Sequence, residues 1–253
     1  MEFHQYKNFF IAYAKSYLTG SEEFDRNIRL KLDHTLRVLS YSEEIIGAEA
    51  FNAFDAKTSR FAALWHDVSR FEQFKRLETY MDGPAFDHGD EGAKLLENGV
   101  FSFEEFTPLE KETIIRAVKL HNKRSIPENS SMAEKSVRDA DKLDVLNVIL
   151  DELDNPRNPK VLYSLSTENR FSEKVLDFIR RREVPFHRDL ETVNDFVISK
   201  VAWVFDLNTK AAKRIFYREH FLERLISHMA ESDTGNALVC EVRTILENTM
   251  KTE

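Results

Sequence analysis

The sequence predicts an all-helical protein, and three features support this prediction. Only 7 glycines and 6 prolines occur among the 253 residues, so few positions interrupt a helix. Charged residues make up 32% of the chain, and the helix formers Leu, Glu, Lys, Arg and Ala are abundant. Apolar residues also recur at helical spacing along most of the chain.

Turn signals and apolar periodicity divide the first 154 residues into helices. Helices are predicted at about residues 3–18, 21–47, 55–68, 87–96, 108–120 and 131–153. Irregular structure is predicted after residue 68, with a turn at residues 81–84. Gly89, Gly92 and Ala93 are small and predict that the helix carrying them approaches a neighbour closely.

A linker is predicted at residues 155–159, whose sequence is Asn-Pro-Arg-Asn-Pro. It separates a helical core, residues 1–154, from a C-terminal helical lobe, residues 155–253. Within the lobe, helices are predicted near residues 170–182, 189–206, 208–232 and 234–250. We expect this lobe to pack on the core; whether it covers a site, forms a homodimer or completes the core is left open.

Composition excludes several classes of function. Cys240 is the only cysteine, so no intramolecular disulfide can form, and no apolar run approaches the roughly 18 residues of a membrane span. The N-terminal residues do not resemble a signal peptide, so we expect a cytoplasmic protein without a membrane partner. The net charge of −8 argues against binding to a nucleic-acid polymer, although a small anionic substrate is compatible with local positive charge.

Six side chains of metal-ligand type occur at the ends or on the inner faces of the predicted helices. They are His34, His66, Asp67, His88, His121 and Asp141. A His-Asp pair alone is typical of many helix ends, and a lone histidine beside an apolar face is usually structural. Together, imidazoles and carboxylates suit the divalent ions of Mn, Fe, Co, Ni or Zn. Six ligands exceed the needs of one tetrahedral zinc and suit two ions, with Asp67 as the carboxylate that joins them.

Five stretches of the sequence resemble the HD superfamily of metal-dependent phosphohydrolases, in its binuclear form. They are Asp33–Val38, Leu64–Asp67, His88–Ala93, Ala117–Asn122 and Arg138–Asp144. The resemblance implies an HD-domain helical bundle and two divalent metal ions. It implies a first metal site of His34, His66, Asp67 and Asp141, and a second of Asp67, His88 and His121.

The resemblance also implies a reaction, namely hydrolysis of a phosphate monoester or diester by a hydroxide that bridges the two ions. A small phosphorylated molecule, in particular a nucleotide, is the expected substrate. Basic residues near the ligands in sequence are candidates to bind its phosphate: Arg70, Lys123, Arg124 and Lys142. Arg70 and Lys142 join Asp67 as the candidate catalytic residues, and Asp144 or a metal-bound water is the candidate general acid.

The sequence departs from two subfamilies. Asn-Lys-Arg follows His121, in place of the acidic and Gly-Tyr-Pro elements of cyclic di-GMP phosphodiesterases. The residues after Asp67 lack the paired acids of guanosine-tetraphosphate hydrolases. The chain is more similar to small bacterial HD proteins of undefined substrate, and distantly to diadenosine-tetraphosphate hydrolases.

Two alternatives to hydrolysis stay open at this point. HD-fold proteins such as myo-inositol oxygenase have a similar ligand order and use a mixed-valent di-iron pair, so the same six residues would serve that chemistry. A non-catalytic metal-binding scaffold is the other alternative. A complete ligand set argues against a scaffold, because loss of function should first remove ligands.

Overall fold

The computed structural model of the chain describes residues 2–155, 165–229 and 233–251, and its regular elements are helices. Within these ranges there is no β-strand, only two isolated bridges, Gly83 with Phe86 and Ser166 with Thr192. The predicted all-α class is confirmed. None of the helices in these ranges is both long enough and apolar enough to cross a membrane.

The chain forms two compact units, residues 1–141 and 142–253, and the division falls within the seventh helix. The predicted core boundary, residue 154, is the last residue of that helix. Residues 156–159 of the predicted linker lie outside the described residues. The first seven helices are α1 Phe3–Lys15, α2 Glu22–Ala48, α3 Ala53–Trp65, α4 Arg70–Leu77, α5 His88–Glu97, α6 Pro108–Leu120 and α7 Met132–Asp154.

In the first unit α3 packs against both α2 and α6, and α5 packs against α6. Trp65 at the end of α3 is fully buried and stacks on Phe101, with ring centroids 5.2 Å apart. Tyr6, Phe61 and Phe106 surround the same ring, so several of the chain's aromatic residues form one cluster. This cluster fixes the end of α3 immediately before His66.

The prediction of irregular structure after residue 68 is wrong for residues 70–77, because these residues form helix α4. Phe71 and Phe74 lie three residues apart, so they share a face of the helix, and both are buried. The positive charges of Lys75 and Arg76 in the last turn interact favourably with the helix dipole. The helix is only eight residues long, and so short an apolar pattern does not distinguish a helix from a loop.

The predicted close approach at Gly89 and Gly92 is confirmed, because α5 lies directly against α6. A Cβ atom on Gly89 would lie 2.7 Å from the carbonyl oxygen of Lys119, and would also overlap the side-chain oxygen of Asn122. A Cβ atom on Gly92 would lie 3.1 Å from Val118. Glycine at residue 89 is therefore a requirement of the packing.

We expect Gly89→Ala to destabilise the protein by about 1–3 kcal/mol, because a backbone carbonyl cannot move aside. Gly47→Ala is the matched control, since a Cβ atom on this helical glycine would meet nothing within 4 Å. Alanine there should leave the stability unchanged or raise it by up to about 1 kcal/mol. Urea unfolding of both variants tests this, and equal midpoints would contradict the packing argument.

The second unit contains α8 Glu173–Arg180, α9 Val193–Val201, α10 Lys210–Arg218, α11 Phe221–Ile226 and α12 Asp233–Lys251. The prediction of one continuous helix over residues 208–232 is wrong. His220 adopts a left-handed backbone conformation, with φ of 55°, and separates α10 from α11. The helix predicted at residues 189–206 is shorter than expected, because 3₁₀ turns at His187–Asp189 and Ala202–Asp206 flank α9.

Candidate metal centre

His66 and Asp67 lie in a tight turn that joins α3 to α4. The backbone N–H of Val68 donates to the carbonyl of Trp65 at 3.1 Å, and that of Arg70 donates to the carbonyl of Asp67 at 2.9 Å. The Ser69 hydroxyl then donates to the carbonyl of His88 at 2.7 Å, which ties this turn to the start of α5. His66 is 0% exposed and Asp67 2%, so both side chains point into the unit.

The two carboxylate oxygens of Asp67 face two different pairs of histidines. Oδ2 lies 3.4 Å from Nε2 of His34 and 3.6 Å from Nε2 of His66. Oδ1 lies 3.6 Å from Nε2 of His88 and 3.8 Å from Nε2 of His121. We call His34, His66 and Asp67 the first ligand group, and Asp67, His88 and His121 the second ligand group. Asp67 therefore belongs to both groups.

Asp141, on α7, approaches the first ligand group. Its Oδ1 atom lies 3.2 Å from Nε2 of His34 and 3.8 Å from Nε2 of His66. Its side chain is 22% exposed, more than those of the other five residues, so this is the more open side of the cluster. All six side chains predicted to bind metal thus lie together.

Hydrogen bonds to the other ring nitrogens direct the imidazoles inward. Nδ1 of His66 lies 2.8 Å from the carbonyl of Ala63, and Nδ1 of His121 lies 2.7 Å from the carbonyl of Val118. A carbonyl only accepts, so both rings carry the proton on Nδ1 and present an unprotonated Nε2 to the centre.

The spacing of the imidazoles fits a metal ion. Nε2 of His88 lies 3.0 Å from Nε2 of His121, and Nε2 of His34 lies 3.3 Å from Nε2 of His66. Two imidazoles bound to one ion at about 2.1 Å, at octahedral or tetrahedral angles, would be about 3.0–3.4 Å apart. The unprotonated Nε2 atoms of His88 and His121, whose Nδ1 atoms donate to Asp82 and to the carbonyl of Val118, repel each other at this distance unless a cation lies beside both. The residues present therefore fit a divalent ion in each ligand group.

The charge states of Asp67, Asp141 and His121 are those that metal ligands need. Burial tends to raise the pKa of Asp67, but Lys31 and the neighbouring imidazoles outweigh it and hold that pKa well below its ordinary value. Burial also tends to raise the pKa of Asp141, but the hydrogen bond with His34 outweighs this effect and lowers that pKa. Burial, reinforced by the nearby His88, lowers the pKa of His121 to about 3. At neutral pH these two carboxylates are anionic and His121 is neutral.

Arg70 lies beside the second ligand group, as its position in the sequence predicted. Its Nε lies 3.4 Å from Oδ1 of Asp67, and its Nη2 lies 3.3 Å from Nε2 of His88. Nη1 donates to the Gln73 side chain at 2.7 Å and to the carbonyl of Tyr80 at 2.6 Å. The guanidinium group thus connects the centre with the loop that follows α4.

Asp82 and Lys31 contact the centre, and sequence reasoning missed both. Asp82 was assigned to a turn by residue type alone, yet its carboxylate accepts a short hydrogen bond from Nδ1 of His88. The ammonium group of Lys31 lies 2.8 Å from Oδ2 of Asp67. Lys31 lies three residues before His34 on α2, so helical spacing places both on one face, and this signal was available in the sequence.

We expect Asp82→Asn to weaken metal binding by the second ligand group about 10–100-fold. This is the usual loss, about 10–100-fold, when a residue that hydrogen-bonds to a metal ligand is changed. Asparagine keeps the shape but loses the negative charge that orients the His88 ring. Titration with one metal should show one weakened class of sites and one unchanged class. Equal weakening of both classes, or of neither, would contradict this role.

The remaining candidates for phosphate binding make other contacts. Lys123 pairs with Asp87 at 2.7 Å and with Asp90 at 3.1 Å. The carbonyl of Arg124 accepts a hydrogen bond from Arg138 at 2.7 Å. Lys142, in the second unit, pairs with Asp206 at 3.0 Å. Their roles toward a substrate, like that of the buried Asp144 as an acid, stay predictions.

Comparison with known families agrees with this geometry. Residues 32–148, which include all six ligand residues, match the family model described as HD domain. This match to an HD domain supports the membership of the HD superfamily of metal-dependent phosphohydrolases that the motifs indicated. Searches of curated proteins and of solved structures gave no significant match.

Proposed function

We propose that the protein is a two-metal phosphohydrolase that cleaves a phosphate ester of a small molecule, in particular a nucleotide. One observation carries the proposal: the two oxygens of the buried Asp67 carboxylate face two separate pairs of histidines, at 3.4–3.6 Å and at 3.6–3.8 Å. A carboxylate in this position can join two ions. The family match supports metal-dependent hydrolysis as the class of reaction.

His34, His66, Asp67 and Asp141 would hold one ion, and Asp67, His88 and His121 the other. When bound, a pair of ions supplies a water of lowered pKa and positive charge beside the attacking and leaving oxygens of a phosphoryl group. The chain fixes the ligands before the ions arrive. It does so through the carbonyls of Ala63 and Val118 and through the carboxylate of Asp82.

Arg70 is the best-placed of the predicted residues to contact a phosphate. Its side chain is 11% exposed and its guanidinium group lies between Asp67 and His88, beside the second ligand group. A guanidinium group can donate two hydrogen bonds to one phosphate. An anionic substrate is compatible with the net charge of −8, because two divalent ions together with Arg70 would supply positive charge locally at the centre.

The test is hydrolysis by protein reconstituted with Mn, Co, Fe, Ni or Zn, assayed with nucleoside monophosphates, dinucleoside polyphosphates and cyclic or linear diesters. The proposal predicts metal-dependent release of phosphate or nucleotide that a chelator abolishes. Turnover that survives chelation would contradict it. Two iron ions per chain with a mixed-valent signal and no ester hydrolysis would instead favour an oxygenase.

A further inference from the structure

The position of Lys31 points to a role that the metal ligands do not account for. Lys31 lies on α2, immediately before the residues that match the HD family. Its side chain is only 14% exposed, and its ammonium nitrogen lies 2.8 Å from Oδ2 of Asp67. This oxygen faces the first ligand group, whereas Arg70 approaches the opposite oxygen. Two cations therefore flank the shared carboxylate, one on each side.

Tyr80 makes a second contact with the Lys31 ammonium group. The ammonium nitrogen lies 5.3 Å from the centroid of the Tyr80 ring, within the range of a cation–π contact. The ring is itself fixed, because it stacks on Phe74 at 4.8 Å and its hydroxyl donates to the carbonyl of Asn27 at 2.8 Å. The Lys31 ammonium group thus contacts both Asp67 and a ring that is packed in place, and its side chain is largely buried.

Lys31 and Arg70 differ in how many of their N–H donors have an acceptor within the protein. Nη1 of Arg70 alone has three acceptors, on Gln73, Tyr80 and Asp82. An ammonium group has three N–H donors. In the part of the chain that the structure describes, Asp67 is the one hydrogen-bond acceptor of the Lys31 ammonium. One donor on Asp67 and one toward the Tyr80 ring leave the third N–H for a hydrogen bond with a ligand.

We propose that Lys31 is a substrate-binding residue that donates this hydrogen bond to a non-bridging phosphate oxygen and selects a phosphate monoester over a diester. This inference rests on the proposed function. A monoester carries about 1.5–2 negative charges at pH 7, and a diester carries one. A cation held in a partly buried position attracts the more highly charged group more strongly. The monoester also offers three non-bridging oxygens to the ions, Arg70 and Lys31, whereas the diester offers two.

Binding of inorganic phosphate tests Lys31 without requiring turnover. Calorimetry on the metal-loaded protein should show that Lys31→Met binds phosphate about 10–100-fold more weakly, the loss expected for one charge-assisted hydrogen bond. Lys31→Arg should retain most of the affinity. Metal content and circular dichroism should be the same in all variants, which separates a binding role from a structural one.

Lys57→Met is the matched control. Lys57 also combines a carboxylate and an aromatic ring, since its ammonium nitrogen lies 3.0 Å from Glu110 and 4.5 Å from the centroid of the Phe106 ring. Its contacts include none of the six ligand residues. Lys57→Met should therefore bind phosphate as the wild type does.

The selectivity is tested by kcat/KM for a nucleoside 5′-monophosphate and for bis(p-nitrophenyl) phosphate. Lys31→Met should lose about tenfold more on the monoester than on the diester. Undiminished phosphate binding in Lys31→Met, no phosphate binding by the wild type, loss of metal in the variant, or a wild-type preference for diesters would each overturn the inference. If the wild type hydrolyses neither ester, the proposed function fails, and phosphate affinity still decides whether Lys31 binds the anion.

Discussion

Replacing Asp67 by asparagine is expected to remove both metal ions and abolish hydrolysis while the helices stay folded. Each oxygen of this carboxylate serves a different pair of histidines, so its loss affects both ligand groups at once. Bound ions contribute several kcal/mol to stabilising the charge of the transition state. Their loss corresponds to a fall in kcat of about a thousandfold or more. Elemental analysis and circular dichroism on the same sample measure metal and fold together.

The control for Asp67→Asn is Asp177→Asn on α8. Asp177 also pairs with an arginine three residues later, because Arg180 donates to its carboxylate at 2.6 Å. It is 57% exposed and belongs to the second unit. The control should keep its metal and its activity. Asp67→Asn or Asp67→Ala protein with full activity would contradict the account, whereas lost helix content would show a structural role.

Replacing His121 by glutamine is expected to halve the metal content. The second ligand group has three protein ligands, so removal of one leaves Asp67 and His88. The first ligand group keeps His34, His66 and Asp67 and still has Asp141 beside it. Activity should fall by more than about 10–100-fold, which is the usual loss when a residue that hydrogen-bonds to a metal ligand is removed. Metal analysis should give about one equivalent per chain.

A reciprocal variant and a control sharpen this test. His34→Gln should also lose one ion, but the ion that remains should have a different coordination spectrum when cobalt is used. His228→Gln is the control, since His228 pairs with Asp154 at 2.8 Å and lies outside both ligand groups. Loss of both ions in His121→Gln would show that the two groups do not bind independently. Loss of neither would remove His121 from the ligand list.

The cluster of six candidate ligands could be predicted from the sequence because the residue types that form it are local to each motif. His66 and Asp67 end a strongly apolar helix, and His88 and His121 stand at the ends of predicted helices. Imidazole and carboxylate groups in this order have few other uses. Ser131 and Glu134, three residues apart before an apolar run, have the sequence pattern of a capping box. Its reciprocal hydrogen bonds are present at 2.6 and 3.3 Å.

The contacts around the ligands could not be predicted in the same way. Asp82 reaches His88 because the loop after α4 folds back, with a paired contact between Gly83 and Phe86. The turn signal at residues 81–84 predicts a reversal of the chain, but no local pattern specifies that the Asp82 carboxylate reaches His88. Lys123 lies next to the motif of His121, but it pairs with Asp87 and Asp90, whose approach depends on the packing of α5 against α6. Sequence proximity to a ligand therefore did not determine which side chains face it.

Metal content per chain is the measurement that tests the central claim most directly. The protein should be purified without chelator and with little oxygen, then analysed for Mn, Fe, Co, Ni and Zn. Two ligand groups that share Asp67 predict about two equivalents of divalent metal per chain. One equivalent of metal per chain would show that His88 and His121 have structural or substrate-binding roles and do not bind a second ion. No bound metal, even after reconstitution, would contradict the two-metal centre and favour a non-catalytic scaffold.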